Sequence, residues 1–158
     1  MIEIRAGGLG DARVEALIRH HRDESHAATP ARNAHSLDST GLRDPAVSFF
    51  SAWDGDALLG IGAIKQLDAG HAELKSMRTA PDQLRRGVAR AILAHLIALA
   101  RERGYARLSL ETGTAPMFAP ANTMYEAAGF VDCPPFGGYP ASPHNRFMTL
   151  TLAPEQGE

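Results

Sequence analysis

The strongest constraint on this chain lies in its middle, where an apolar stripe of helical period is bracketed by two runs of strand character. Val88, Ile92, Leu96 and Ala100 recur every four residues, and Ala89, Leu93 and Ile97 widen the stripe to the face a helix must bury. Arg101 and Arg103 occupy the last turn and Gly104 follows, which suits a helix C-terminus. Gly70 to Arg78 reads as a strand ahead of the helix, punctuated by Pro81 and Asp82. Ala106 to Glu111 reads as a strand behind it, with Leu108 and Leu110 facing one way. Strand, helix and strand in this order form a crossover unit.

The flanks are mostly strands. Ile2 to Arg5 is short and alternating. Asp11 can cap a helix that carries Val14, Leu17 and Ile18 on one side. Asp23 to Pro45 is polar and irregular, with a short helix expected around Ala34 to Ser39, and suits a substrate lid. Val47 to Trp53 and Ala57 to Ile64 are joined by Asp54-Gly55, a strong two-residue hairpin signal. Thr123 to Ala128 reads as a short helix ended by Gly129. Phe130 and Val131 begin a short strand, Pro134 to Asn145 is a Pro/Gly-rich loop, and Phe147 to Leu152 alternates. With one or two crossovers among this many strands, the expected class is α+β with a mixed sheet, not a doubly wound one.

Composition narrows the functional classes. The chain has 158 residues, 44% hydrophobic and 22% charged, which fits one globular domain spanning residues 1–158. A net charge of -2 carries no electrostatic footprint for nucleic acid or an anionic membrane. The opening residues hold no long apolar run, so neither a signal peptide nor a membrane span is expected. Cys133 is the single cysteine, which excludes an internal disulfide and fits a reducing, cytoplasmic setting.

The most informative segment is Leu84-Arg85-Arg86-Gly87-Val88-Ala89, between the strand and the long helix. A helix start presents unpaired N–H groups and the positive end of its dipole. Gly87 and Ala89 are small enough for a diphosphate to approach the backbone, and Arg85, Arg86 and Arg90 add charge. The turn lacks the P-loop pattern and the dinucleotide fingerprint, which disfavours ATP and NAD. A solvated basic helix start is the plainer alternative.

This turn resembles motif A of the GNAT acetyltransferases, Gln/Arg-x-x-Gly-x-Gly/Ala. Gly87 and Ala89 match, and Leu84 stands where Gln or Arg is usual. Tyr125-Glu126-Ala127-Ala128-Gly129-Phe130 is similar to the Tyr-x-x-x-Gly-Phe segment of the second motif. The run from Lys75 to Pro81 also looks like one bacterial subgroup. The resemblance covers residues 1–152 and is sharpest from Glu73 to Phe130. It implies a mixed, mostly antiparallel sheet of six to seven strands flanked by about four helices. It further implies that acetyl-coenzyme A, as acyl donor, wedges between Glu73–Arg78 and Ala106–Thr112. Its pantetheine would pair with the backbone near Met77, Arg78 and Thr79. Its pyrophosphate would rest on the amides around Arg85, Arg86, Gly87, Val88, Ala89 and Arg90. The partner is an amine acceptor, small molecule or protein, and a homodimer is consistent with the family.

Acetyl transfer needs a neutral amine, a polarised thioester carbonyl and a proton for the leaving thiolate. Tyr125 is the candidate acid, since a phenol stays protonated at neutral pH. In the family a tyrosine at this motif position often takes that part. Glu73 is the candidate base, acting through water, at an offset from Gly87 similar to that of the catalytic glutamate in several members. The plainer accounts are a core tyrosine and an exposed strand carboxylate. His71 shares Glu73's strand face and is the alternative base. Glu111 could bind an acceptor ammonium. Asn122 is too close to Tyr125 for the family's cofactor-binding asparagine, whose place Phe118 takes. His20, His21, His26 and His35 offer no helical i, i+4 pair, so no metal site is expected. Cys133 lacks the pattern of a catalytic thiol, and Trp53, Phe136 and Tyr139 could line an acceptor pocket, with core packing the default. A rival reading keeps the scaffold but makes it an acyl-coenzyme A sensor without transfer activity.

Overall fold

The structure is a computed structural model and describes residues 1–28 and 37–152. The chain opens with β1 (Glu3–Ala6) and α1 (Ala12–Ala28). The Asp11 carboxylate accepts from the Arg13 N–H at 2.8 Å and the Val14 N–H at 3.4 Å, capping α1 as its position suggests. A four-residue α2 (Ser39–Leu42) is capped by Asp38, whose side chain accepts from the Gly41 N–H at 2.8 Å. Three antiparallel strands follow: β2 (Val47–Asp54), β3 (Ala57–Asp68) and β4 (His71–Thr79). Then come α3 (Val88–Glu102), β5 (Arg107–Gly113), α4 (Ala119–Ala127), β6 (Val131–Asp132) and β7 (Asn145–Thr151).

The strands form one seven-stranded sheet in the order β1-β2-β3-β4-β5-β7-β6. Only β4 and β5 run parallel, because α3 returns the chain between them; every other neighbouring pair is antiparallel. The α+β expectation, with its strand and helix numbers, therefore holds. The sheet separates two apolar clusters. On one face α3 buries Val88, Ile92, Leu93, Leu96 and Ala100 against Leu74 and Leu108. On the other, α1 buries Val14, Leu17 and Ile18 against Phe49, Trp53 and Ile61. Each large side chain buried this way contributes about 1.5–3 kcal/mol. Gly62 lets α3 approach, since a Cβ there would lie 2.6 Å from Ile92 Cγ2 and 2.9 Å from Met77 Sδ.

Three helix boundaries differ from the sequence expectation. The irregular stretch begins later than Asp23, because α1 continues to Ala28. Polar residues there continue the helix without extending its apolar stripe, so periodicity alone lost it. The short helix expected around Ala34 to Ser39 lies largely outside the described residues; the described part begins its helix at Ser39. α4 starts at Ala119, ahead of Thr123, with Pro120 in its first turn, where a missing N–H costs nothing.

Candidate active site

The parallel pairing of β4 and β5 is short. It runs from His71↔Arg107 to Glu73↔Ser109 and stops, although β4 continues to Thr79 and β5 to Gly113. A bulge explains the parting on the β4 side. Lys75 faces Ala63 and Arg78 faces Ile61, so Ser76 and Met77 together oppose Gly62. Ser76 takes a left-handed φ of 57°, unusual for a residue with a Cβ. On the other side β5 stays paired with β7 along its length. The opening between the strands is a cavity of about 520 Å³, walled by β4, β5, α1 and α4.

One end of the cavity is the turn before α3. Leu84 is extended, with φ -66° and ψ 153°, Arg85 takes φ 66° and Gly87 φ 78°. Such changes of hand can turn successive amides toward one concavity. At Gly87 the reason for glycine is the dihedral angle rather than space, because a Cβ there would meet nothing within 4 Å. The first α3 hydrogen bond runs from the Ala91 N–H to the Gly87 carbonyl at 3.0 Å. The amides of Val88, Ala89 and Arg90 therefore precede the first intrahelical donor, and no side chain caps them. Leu84 and Ala89 also line the cavity, so turn and cavity are continuous. Met77, Arg78 and Thr79 line the β4 wall. Arg85, Arg86 and Arg90 are exposed. Arg86 bends back onto the β2–β3 hairpin, donating to Asp54 Oδ2 at 2.9 Å and to Gln83 Oε1. This contact, with the N-terminal ammonium, holds the Asp54 carboxyl below the usual range.

The other end holds the candidate acid and base. Tyr125, from α4, is buried and lines the cavity, its ring edge-on to Phe130 at 5.8 Å. Burial pushes its phenol up to about 12, the nearby Arg78 charge working in the opposite direction. Glu73 also lines the cavity and is only 2% exposed, which rules out the exposed carboxylate. It accepts from Lys75 Nζ at 3.1 Å and from the Tyr139 hydroxyl at 3.0 Å, while Lys75 Nζ donates to Tyr139 Oη at 2.8 Å. Acid, ammonium and phenol close a triangle. Burial and the Glu73 carboxylate push the Tyr139 phenol up.

Sequence reasoning missed both partners of Glu73. Lys75 carried a signal, since it lies two residues away on the same strand face. Tyr139 carried no signal for this pairing: it stands in the long loop between β6 and β7, where its stacking on Phe147 at 6.2 Å and its contact with Phe136 at 5.8 Å help hold it against β4. His71 lies in the paired part of β4, below the opening. Its Nε2 is 2.6 Å from Ser109 Oγ, its ring packs on Phe136 at 5.5 Å, and burial lowers its pKa. Glu111 lines the cavity and accepts from Asn145 Nδ2 at 2.7 Å. Asn122 ties α4 to β5, donating to the Gly113 carbonyl at 3.1 Å and accepting from Thr112 Oγ1 at 2.8 Å. Phe118 packs its ring directly over Gly113, where a Cβ would clash. Burial raises the pKa of the half-buried Cys133 thiol. Among the described residues no cluster of His, Cys, Asp and Glu is arranged to hold a metal ion. His35 and the His26 side chain lie outside them. No described helix is long and apolar enough to cross a membrane.

A splayed parallel pair, with a helix N-terminus at the mouth of the opening, is the geometry the motif resemblance implies. The family model for the GNAT acetyltransferases matches residues 12–130. The chain belongs to the GNAT acetyltransferase family. Its similarity extends to two GNAT-sized relatives along nearly their whole length. It is 47% identical over 152 residues to the uncharacterised N-acetyltransferase YedL of Escherichia coli, covering 96% of each chain. It is 44% identical over 151 residues to the uncharacterised N-acetyltransferase YsnE of Bacillus subtilis, covering 96% of this chain and 100% of the other. A solved structure from Klebsiella pneumoniae, assigned as an acyl-CoA N-acyltransferase, superposes with a TM-score of 0.80 at 26% identity, over 96% of this chain and 98% of that one. The GNAT chain described here is thus an acyltransferase by family.

Proposed function

We propose that this GNAT protein transfers the acetyl group of acetyl-coenzyme A directly to a primary amine, with Glu73 as base and Tyr125 as acid. The observation that carries the reading is the continuity of the β4–β5 opening with the α3 N-terminus through Leu84 and Ala89. An anionic diphosphate at the turn, met by the amides up to Arg90, would leave the acyl arm to run along Met77, Arg78 and Thr79 toward Tyr125. The amine nitrogen attacks the thioester carbonyl carbon, the N–C bond forms and the C–S bond breaks. The departing sulfur takes the Tyr125 phenolic proton, and the proton lost by the amine passes through water to Glu73. A phenol raised to about 12 is protonated at neutral pH, as a donor must be. Glu73 is preferred to His71 because it lines the cavity, whereas His71 is held on Ser109.

The test is calorimetric titration of acetyl-coenzyme A into wild type and Arg90→Glu, followed by thiol release with an amine panel. Arg90 is chosen over Arg86 because Arg86 is engaged by Asp54, so reversing its charge would also disrupt the hairpin contact. Micromolar binding corresponds to about -8 kcal/mol. Binding weakened in the variant, with thiol release by wild type, supports the reading. Wild type that does not bind acetyl-coenzyme A overturns it.

A further inference from the structure

Among the described residues, the cavity-lining cation Lys75 has Glu73, whereas Arg78, which also lines the cavity, has no carboxylate bonded to it. Its β3 partner Ile61 belongs to the apolar cluster under α1, so the side chain points to the α1 face of the sheet. There Arg78 Nε donates to His21 Nδ1 at 3.0 Å. That acceptor supplies no counter-charge: burial and the Arg78 charge itself push His21 down to about 3, so it stays neutral. Among the described residues no carboxylate forms an ion pair with Arg78. The carboxylate that acts on it electrostatically is Glu24 of α1, which lines the same cavity and is exposed to solvent. Burial disfavours the guanidinium charge. Ser76, at the bulge, also lines the cavity, with its hydroxyl buried without a partner. The other carboxylates there have donors, Glu73 from Lys75 and Glu111 from Asn145.

A guanidinium fork with no carboxylate bonded to it is a receptor for one. The acyl donor cannot supply one, since its acetyl-pantetheine arm is uncharged and its phosphates belong at the turn before α3. The anion must therefore arrive on the acceptor. Arg78 and Tyr125 line the same cavity, so a carboxylate held at Arg78 shares the chamber with the proposed acid. We infer that the acceptor is an amino acid, its carboxylate held by the Arg78 guanidinium while its amine faces the thioester. This rests on the acetyl-transfer reading above and narrows it to one substrate class.

The experiment compares coenzyme A release for α- and short ω-amino acids with release for their carboxamides, in wild type, Arg78→Gln and Arg78→Lys. A charge-assisted pair is expected to favour the free acids about ten- to a hundredfold in kcat/KM. In Arg78→Gln the ratio of acid to amide should fall toward one, and Arg78→Lys should recover part of it. Equal rates for acids and amides in wild type overturn the inference, with no variant needed. So does an unchanged ratio in Arg78→Gln, or an equal loss on both substrates, which would place the guanidinium at the thioester. Calorimetric titration of the amino acids into the coenzyme A-loaded protein separates the two readings. Arg78-dependent binding without any turnover supports the carboxylate site and counts against transfer. Transfer to plain amines, with no amino acid bound, supports transfer and overturns the carboxylate site.

Discussion

The two ends of the cavity are built on opposite principles. The turn from Leu84 to Arg90 offers main-chain amides, sits in solvent and depends on two left-handed residues, Arg85 and Gly87. The β4 segment from Glu73 to Arg78 offers side chains, is largely buried and depends on partners from distant elements: Tyr139 from the β6–β7 loop and His21 from α1. The first end can bind an anion with any side chains that permit its dihedral angles. The second is specific, because each of its charges has an assigned partner or, at Arg78, lacks an acidic one. A backbone site tolerates variation that a buried side-chain site does not, so the mismatch at Leu84 does not bear against the proposed diphosphate site.

Substitutions at the two ends should separate these principles. The largest effect is expected at Lys75→Met, which leaves Glu73 buried without its cation; removing one partner of a buried pair costs about 3–5 kcal/mol. Urea unfolding reads it, and a loss no larger than that of an exposed ion pair would show that the triangle is not structural. Next, Tyr125→Phe should lower kcat about a hundredfold or more, with little change in acetyl-coenzyme A affinity, in the range of proton-transfer catalysis. Unchanged turnover would remove Tyr125 as the acid. At the turn, Gly87→Ala should cost about 1–2 kcal/mol in thermal unfolding, from the left-handed dihedral alone. A cost near zero would mean that the turn relaxes freely.

The smallest effect near neutral pH concerns His21. Its folded pKa, about 3, lies below the unfolded value near 6.5, so the neutral form is the one the fold favours. Its contribution is complete above about pH 6.5 and is lost progressively as pH falls toward 3. His21→Gln should flatten the fall of the urea midpoint over that window. Parallel pH profiles for wild type and variant would show that His21 titrates normally.

How far the sequence reaches differs between the ends in the same way. The strand-helix-strand unit, the Asp54-Gly55 hairpin and the Gly87 turn were legible because each depends on local periodicity or on one residue's dihedral preference. The helical reach of α1 to Ala28 was not, because its last residues lack the apolar stripe. Glu73 could be singled out by its spacing from Gly87, but its burial could not, and neither could its bond to Tyr139, 66 residues away. Likewise the sequence singles out Arg78 only for its backbone, and the Ser76–Met77 bulge sets the face on which its side chain emerges.

The sequence by itself determined the mixed α+β class, the helix start that can receive a diphosphate, and the Tyr125 and Glu73 candidates. The class and the helix start rest on interactions within about one helical turn or one strand, where covalent connection sets the geometry, whereas the Tyr125 and Glu73 candidates rest on the resemblance to the GNAT motifs. Only the tertiary structure decided where β4 parts from β5, that Glu73 is enclosed with Lys75 and Tyr139, and that Arg78 meets His21 rather than a carboxylate. The physical reason is that burial and charge pairing belong to groups far apart in the chain, and pairing strength follows from a distance no local pattern encodes.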